Sequence, residues 1–152
     1  MPTTASRSYS IKEAAALTGL PASTLRYYEQ IGVITPISRG ATSKHRVYDE
    51  ADLDQLMSIA CLAATGMSVH DMRQYMANAH LGADAVAEQV GLLSAQAERL
   101  AREAEQVALR QEYVRIKVDY WHAVDAGDED RAGLLSAEAR ALADALKGTK
   151  AP

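Results

Sequence analysis

The chain has 152 residues, 48% hydrophobic and 24% charged, which is enough apolar content for one compact domain or two very small ones. Its 29 alanines and its lack of phenylalanine favour helix over a β-sandwich or barrel. One cysteine excludes a disulfide framework or cysteine-rich metal site, and no apolar run approaches the roughly 20 residues that span a bilayer. The net charge of −4 hides an asymmetry: residues 1–48 hold six Lys/Arg against two acids, and residues 49–152 hold ten against eighteen, so a basic head that can meet a polyanion precedes an acidic body.

The N-terminal MPTTASRSYS lacks the apolar centre of a signal peptide, so a cytoplasmic protein with no membrane partner is expected. Ser10-Ile11-Lys12-Glu13 fits a capping box, in which Ser and Glu satisfy each other's open N–H groups. Ile11, Ala14, Ala15 and Leu17 continue at helical spacing, and Gly19 ends the helix. Pro21 opens a second helix with Leu25, Tyr28 and Ile31 inside, and Gly32 stops it. Two short helices joined by a tight turn make a helix-turn-helix. In residues 33–48, Val33, Ile34, Val47 and Tyr48 are strand-type and Gly40 to Lys44 are turn-type. The spacing predicts a β-hairpin with Arg39, Lys44, His45 and Arg46 near its tip, which makes the motif winged.

A third helix is expected over 49–65, with Leu53, Leu56, Met57, Ala60 and Ala64 on one face and Gly66 after it. Ser68 caps a fourth, with Met72, Tyr75 and Met76 apolar, and a break is expected from Asn78 to Gly82. From Asp84 to Asp125 apolar positions recur in alternating steps of four and three. Val86, Val90, Leu93, Leu100, Val107, Val114, Val118 and Trp121 carry this seam, joined by Ala97 and Ala104, with lapses at Gln111 and Asp125. A helix of that span is roughly 60 Å long and cannot bury its seam in a monomer of this size, so a homodimer is expected. A second stripe, Leu109, Tyr113, Ile116 and Tyr120, is expected to pack on the head helices. After Ala126-Gly127, one short amphipathic helix is expected over 128–148, with Leu134, Leu135, Leu142 and Leu146 apolar and Lys147-Gly148-Thr149-Lys150 as its stop.

The runs L-R-Y-Y-E at 25–29, G-V-I-T-P at 32–36, R-V-Y-D at 46–49 and G-M-S at 66–68 fall in one order. In that order residues 9–76 closely resemble the DNA-binding half of the MerR family of bacterial transcription regulators. The resemblance implies a mainly α fold: a winged helix-turn-helix domain at 9–80, a long antiparallel coiled-coil dimerisation helix at 84–125, and a short C-terminal helix at 128–148. It further implies a dimer on a pseudo-palindromic site in double-stranded promoter DNA, distorting the spacer so that RNA polymerase can engage. Arg26 and Tyr27 match family positions that face DNA from the second helix, and Arg39 and Arg46 match two wing arginines. The usual Gly-Tyr before the second wing arginine is Lys44-His45 here. Lys44 and His45 are candidate phosphate contacts, and Ser23 and Thr24 can bond phosphate at the helix N-terminus.

Candidate effector residues are fewer. Cys61 is either a small core residue, the reading favoured because free cysteine is so often buried, or a thiol sensor at the position of the lone cysteine in an aldehyde- and thiol-stress branch of the family. Tyr113, Tyr120, Trp121 and His122 can line a small pocket, or serve as core. His122, Asp125 and Asp128 suit thiophilic metals poorly, so neither metal nor cofactor is expected. No nucleophile elbow, phosphate-binding glycine loop or H-E-x-x-H is present, so an enzyme is not expected. A coiled-coil scaffold is the alternative, but it leaves the basic winged head unexplained.

Overall fold

The computed structural model describes residues 6–149; the start of the segment read for a signal peptide, and Lys150 of the C-terminal stop, lie outside the described residues. The chain divides into two compact units, Met1–Ser94 and Ala95–Pro152.

In the first unit, helix α1 spans Ile11–Thr18 and α2 spans Ala22–Gln30. The capping box forms: Glu13 N donates to Ser10 Oγ and Ser10 N donates to Glu13 Oε1, each at 3.1 Å. Gly19 then takes φ 75°, a left-handed turn that glycine adopts without a Cβ clash. The inner face of α1 is Ala14 and Thr18, whereas Leu17 points to solvent, one correction to the expected stripe. Leu25 and Tyr28 of α2 are buried, and Ile31 is partly buried.

The wing forms, but of the residues expected in its strands only Val47 lies in one, and the strands are short. They are β1, Ser38–Arg39, and β2, Arg46–Val47, paired antiparallel with Ser38 opposite Val47 and Arg39 opposite Arg46. Val33 and Ile34 are core residues of the connecting loop, their β-branched shape used for packing instead of a ladder. Tyr48 pairs instead with Tyr9, each amide donating to the other's carbonyl at 2.8 Å, so the segment before α1 closes over the base of the wing.

Helix α3, Glu50–Ala64, starts on a reciprocal Asp49–Asp52 cap. Its buried residues are Leu53, Leu56 and Ile59, while Met57 and Ala64 are exposed, so the inner stripe is rotated from the expected one. Helix α4, Val69–Leu81, is capped by Ser68. The expected break at Asn78 is not there: Asn78 is buried in the helix with Oδ1 accepting from Gln74 Nε2 at 2.8 Å, and the break is a 3₁₀ turn at Gly82–Ala85. Leu25, Tyr28, Tyr48, Leu56, Ile59 and Met72 form the middle of one core. Burying each such aliphatic side chain contributes about 1.5–3 kcal/mol.

Helix α5 runs unbroken from Val86 to Asp125 and passes from the first unit into the second. In the second unit it is followed by α6, Glu129–Ala141, and α7, Ala143–Lys147. The expected single C-terminal helix is thus two, divided at Leu142. Within the second unit, the second stripe of α5 packs on α6, where packing on the head helices was expected. Ile116 and Ala123 are buried against Ala132, Leu135 and Ala139, with Tyr113 and Tyr120 at the margin. Leu134 stays in solvent at 69% exposure, so Leu135 shares the inner face of α6 with Ala132 and Ala139.

Candidate nucleic-acid interface

Helix α2 presents its polar side outward because Leu25 and Tyr28 hold the other side in the core. Arg26 and Tyr27 are exposed neighbours on that outer side. Ser23 is exposed and Thr24 half-exposed in the first turn, and Pro21 supplies no side-chain cap there. An uncapped helix start directs N–H groups and the positive pole of the helix outward, which suits an anion.

The wing brings the other cations alongside. A concave surface of about 300 Å³ is lined by Ser10, Lys12, Arg26, Arg39, His45 and Arg46, with Ile11 on its wall. Residues from α1, α2 and both wing strands, far apart in sequence, therefore share one basic hollow. Lys12, which the sequence marks only through the charge of the head, joins the site here. Its signal was its place in the first turn of α1, three residues after the tyrosine that pairs with the wing.

Within the hollow the arginines differ. Arg39 is exposed and donates from an η nitrogen to the Lys44 carbonyl at 3.2 Å, bracing the turn. Arg46 is mostly covered, and its Nε donates to Glu29 Oε1 at 2.6 Å. Glu29 Oε2 also accepts from the Ile37 amide at 2.9 Å. Burial opposes ionisation of Glu29, but the Arg46 hydrogen bond, the Ile37 amide and the charges of Arg46 and Arg39 outweigh it and hold its carboxyl below the usual value. Sequence reasoning missed Glu29, because its partner lies 17 residues away in sequence. At the tip, Lys44 has φ 61°, in the left-handed region that glycine favours, and this is where the resembled pattern carries glycine. His45 is exposed, its amide donating to Ser43 Oγ at 3.3 Å.

The dimerisation candidates lie along α5 with their side chains uncovered: exposure rises from 38% at Leu100 to 62% at Trp121, with Val86, Val90, Leu93, Val107, Val114 and Val118 between these values. Cys61 is exposed, which corrects the reading of it as a core residue; it borders a shallow depression with Met57, Ser58 and Tyr75. The four aromatic-site candidates do not share one pocket. Tyr120 lines a hollow against α6, Tyr113 packs at the α5–α6 core, and Trp121 and His122 face solvent. Among the described residues no group of three or more His, Cys, Asp or Glu is placed to hold a metal ion. Among them, too, no helix is long and apolar enough to cross a membrane.

The sequence profile described as "MerR HTH family regulatory protein" matches residues 9–79. A "Probable heavy metal-dependent transcriptional regulator" of Haemophilus influenzae is 32% identical over 132 residues, covering 82% of this chain and 94% of that protein. The "Uncharacterized HTH-type transcriptional regulator YyaN" of Bacillus subtilis is 40% identical over 68 residues, 45% of this chain and 49% of its own, so the chain spans about half the length of that relative. A crystal structure of HiNmlR, "a MerR family regulator lacking the sensor domain, bound to promoter DNA", shares the fold. Its TM-score is 0.64 at 24% identity, covering 79% of this chain and 94% of that one. With one relative aligned over nearly its whole length, and the motifs of residues 9–79 in place, the chain belongs to the MerR family of helix-turn-helix regulators.

Proposed function

We propose that this chain is a dimeric regulator of transcription that binds a pseudo-palindromic site in double-stranded promoter DNA. The observation that carries the reading is the basic hollow of Lys12, Arg26, Arg39, His45 and Arg46 beside the exposed face of α2. Phosphates supply most of the affinity for such a surface, and a side chain in the major groove supplies the choice of sequence. In this reading Arg26 and Tyr27 face base edges. Ser23, Thr24, Lys44 and His45 hold phosphate, as does Arg39 from the wing. Arg46 sets the wing against α2 through Glu29 and offers its remaining nitrogens to the backbone.

The functional division we propose is a DNA-binding domain at 9–80, a dimerisation helix at 84–125 and a C-terminal helical segment at 128–148. The uncovered seam of α5 supports the dimer: a row of eight exposed apolar side chains on one helix is stable in water when a second copy covers it. Two heads held at a fixed spacing read two inverted half-sites, and wings and helices together offset the cost of bending the spacer between promoter elements for RNA polymerase. This is a binding role; catalysis forms no part of it. A gel-shift survey of genomic fragments, followed by footprinting of those retained, tests it. The expected result is protection of two inverted half-sites. Uniform binding to all fragments, or none, would overturn it.

A further inference from the structure

Resting on the dimer proposed above, we infer that two copies of α5 pair antiparallel in one register. Val86 of each chain lies opposite the partner's Asp125, and the two-fold axis passes between Glu105 and Gln106. A heptad seam alone leaves a choice of registers. Each shift of seven residues again sets seam positions of one helix against seam positions of the other. The ends of α5, the place of Trp121 and the charges beside the seam decide among them.

Helix α5 runs for 40 residues, and only the proposed register overlaps the two copies along that whole length. A shift of one heptad leaves one end of each helix without a partner. In one direction the exposed Trp121 passes beyond the start of the partner's α5; in the other, exposed Val86 and Val90 pass beyond its end. The proposed register leaves none of the three in water. It sets Trp121 against the partner's Val90, Leu93 against the partner's Val118, and small Ala104 against the partner's Val107.

The charges beside the seam choose the same register. Glu103 and Arg110 lie on one edge of it, each just before a seam position, and in an antiparallel pair that edge faces itself. The proposed register brings Glu103 beside the partner's Arg110, and symmetry repeats the ion pair across the axis. A one-heptad shift brings Glu103 against the partner's Glu103 in one direction, and Arg110 against the partner's Arg110 in the other. Parallel pairing brings Arg110 beside the partner's Arg115. Glu103 is exposed and makes no ion pair among the described residues. Arg110 donates from Nε and Nη2 to the Thr149 carbonyl at 3.1 and 2.6 Å, a neutral acceptor that orients the guanidinium without cancelling its charge. On the opposite edge the exposed Ala101 meets the partner's Ala108, so no bulky side chain holds the helices apart there.

The test uses the full chain carrying Cys61→Ser, which removes the only native thiol. Val118→Cys is then combined with a second cysteine, and the protein is oxidised with copper phenanthroline and run on a non-reducing gel. Leu93→Cys with Val118→Cys is expected to give a disulfide-linked dimer. Val86→Cys with Val118→Cys reports one shifted register, Leu100→Cys with Val118→Cys the other, and Val118→Cys alone reports parallel pairing. These three are expected to run as single chains. Separately, Glu103→Arg in the native chain is expected to raise the dimer Kd about tenfold at low salt, and by less at about 1 M salt. The shifted and parallel arrangements with no Glu103–Arg110 pair predict no such loss. Light scattering of the wild type separates the two levels of the reading. A dimer whose first cysteine pair stays unlinked, whose other variants link, or whose Glu103→Arg form is as tight as wild type overturns the register alone. A monomeric wild type overturns the dimer with it.

Discussion

Arg46 Nε meets Glu29 Oε1 at 2.6 Å and so clips the second wing strand to α2. Both side chains are largely covered, and Glu29 also takes the Ile37 amide, so one carboxylate fixes both ends of the wing. Glu29→Gln is expected to lose about 1–3 kcal/mol, since a covered guanidinium is left with a weaker acceptor. The sign with pH follows from the depressed carboxyl. Its contribution is complete above the ordinary value of 4.5 and fades as pH falls through the lower folded-state value. Melting of wild type and variant should therefore differ at neutral pH and converge in acid; curves that run parallel throughout would remove the clip.

Tyr48 is fully buried, and its hydroxyl has no hydrogen-bond partner among the described residues. Burial pushes its phenol above the usual value, with the charges of Arg46 and Arg26 opposing. Tyr48→Phe removes only the unpaired hydroxyl and should leave the melting temperature unchanged or raised. A loss of about 1–3 kcal/mol on thermal denaturation would mean the hydroxyl has a partner.

Leu100 lies near the middle of the exposed α5 seam and is 38% exposed in the single chain. Leu100→Asp should therefore leave helicity nearly intact while converting dimer to monomer, because a charge at a seam position is desolvated only by the partner helix. Light scattering at micromolar concentration checks this, and a wild type that is itself monomeric would contradict it.

Cys61 is exposed on α3. Cys61→Ser is thus expected to shift stability by no more than about 0.5 kcal/mol, and native protein should alkylate readily. Slow labelling that quickens only on unfolding would return the thiol to a covered site.

The sequence was most legible where the interaction is local. The caps at Ser10 and Ser68 and the stop at Gly19 involve residues three or four apart, and all three stand as read. The unbroken helix expected under the 4-3 pattern also stands, since that period belongs to one helix. Errors came where a tertiary neighbour decides. Val33 and Ile34 have strand chemistry, yet the α2–wing loop buries them. Ile59, not Met57, turns inward on α3, and the Ile116 stripe meets α6 because Ala132 and Ala139 leave room for it. In the site, the exposed cations were readable from charge, while Glu29 and Lys12 needed the fold to bring wing, α1 and α2 together.

Binding of DNA by α2 and the wing is tested by the salt dependence of promoter affinity in wild type and Arg26→Ala. Log K is expected to fall steeply and linearly with log salt, by about 0.9 for each phosphate neutralised. Arg26→Ala should weaken binding by about 1–3 kcal/mol with relaxed sequence choice if Arg26 reads a base, or flatten the slope by about one if it holds a phosphate. A slope near zero, or an Arg26→Ala protein that binds like the wild type at every salt concentration, would contradict it.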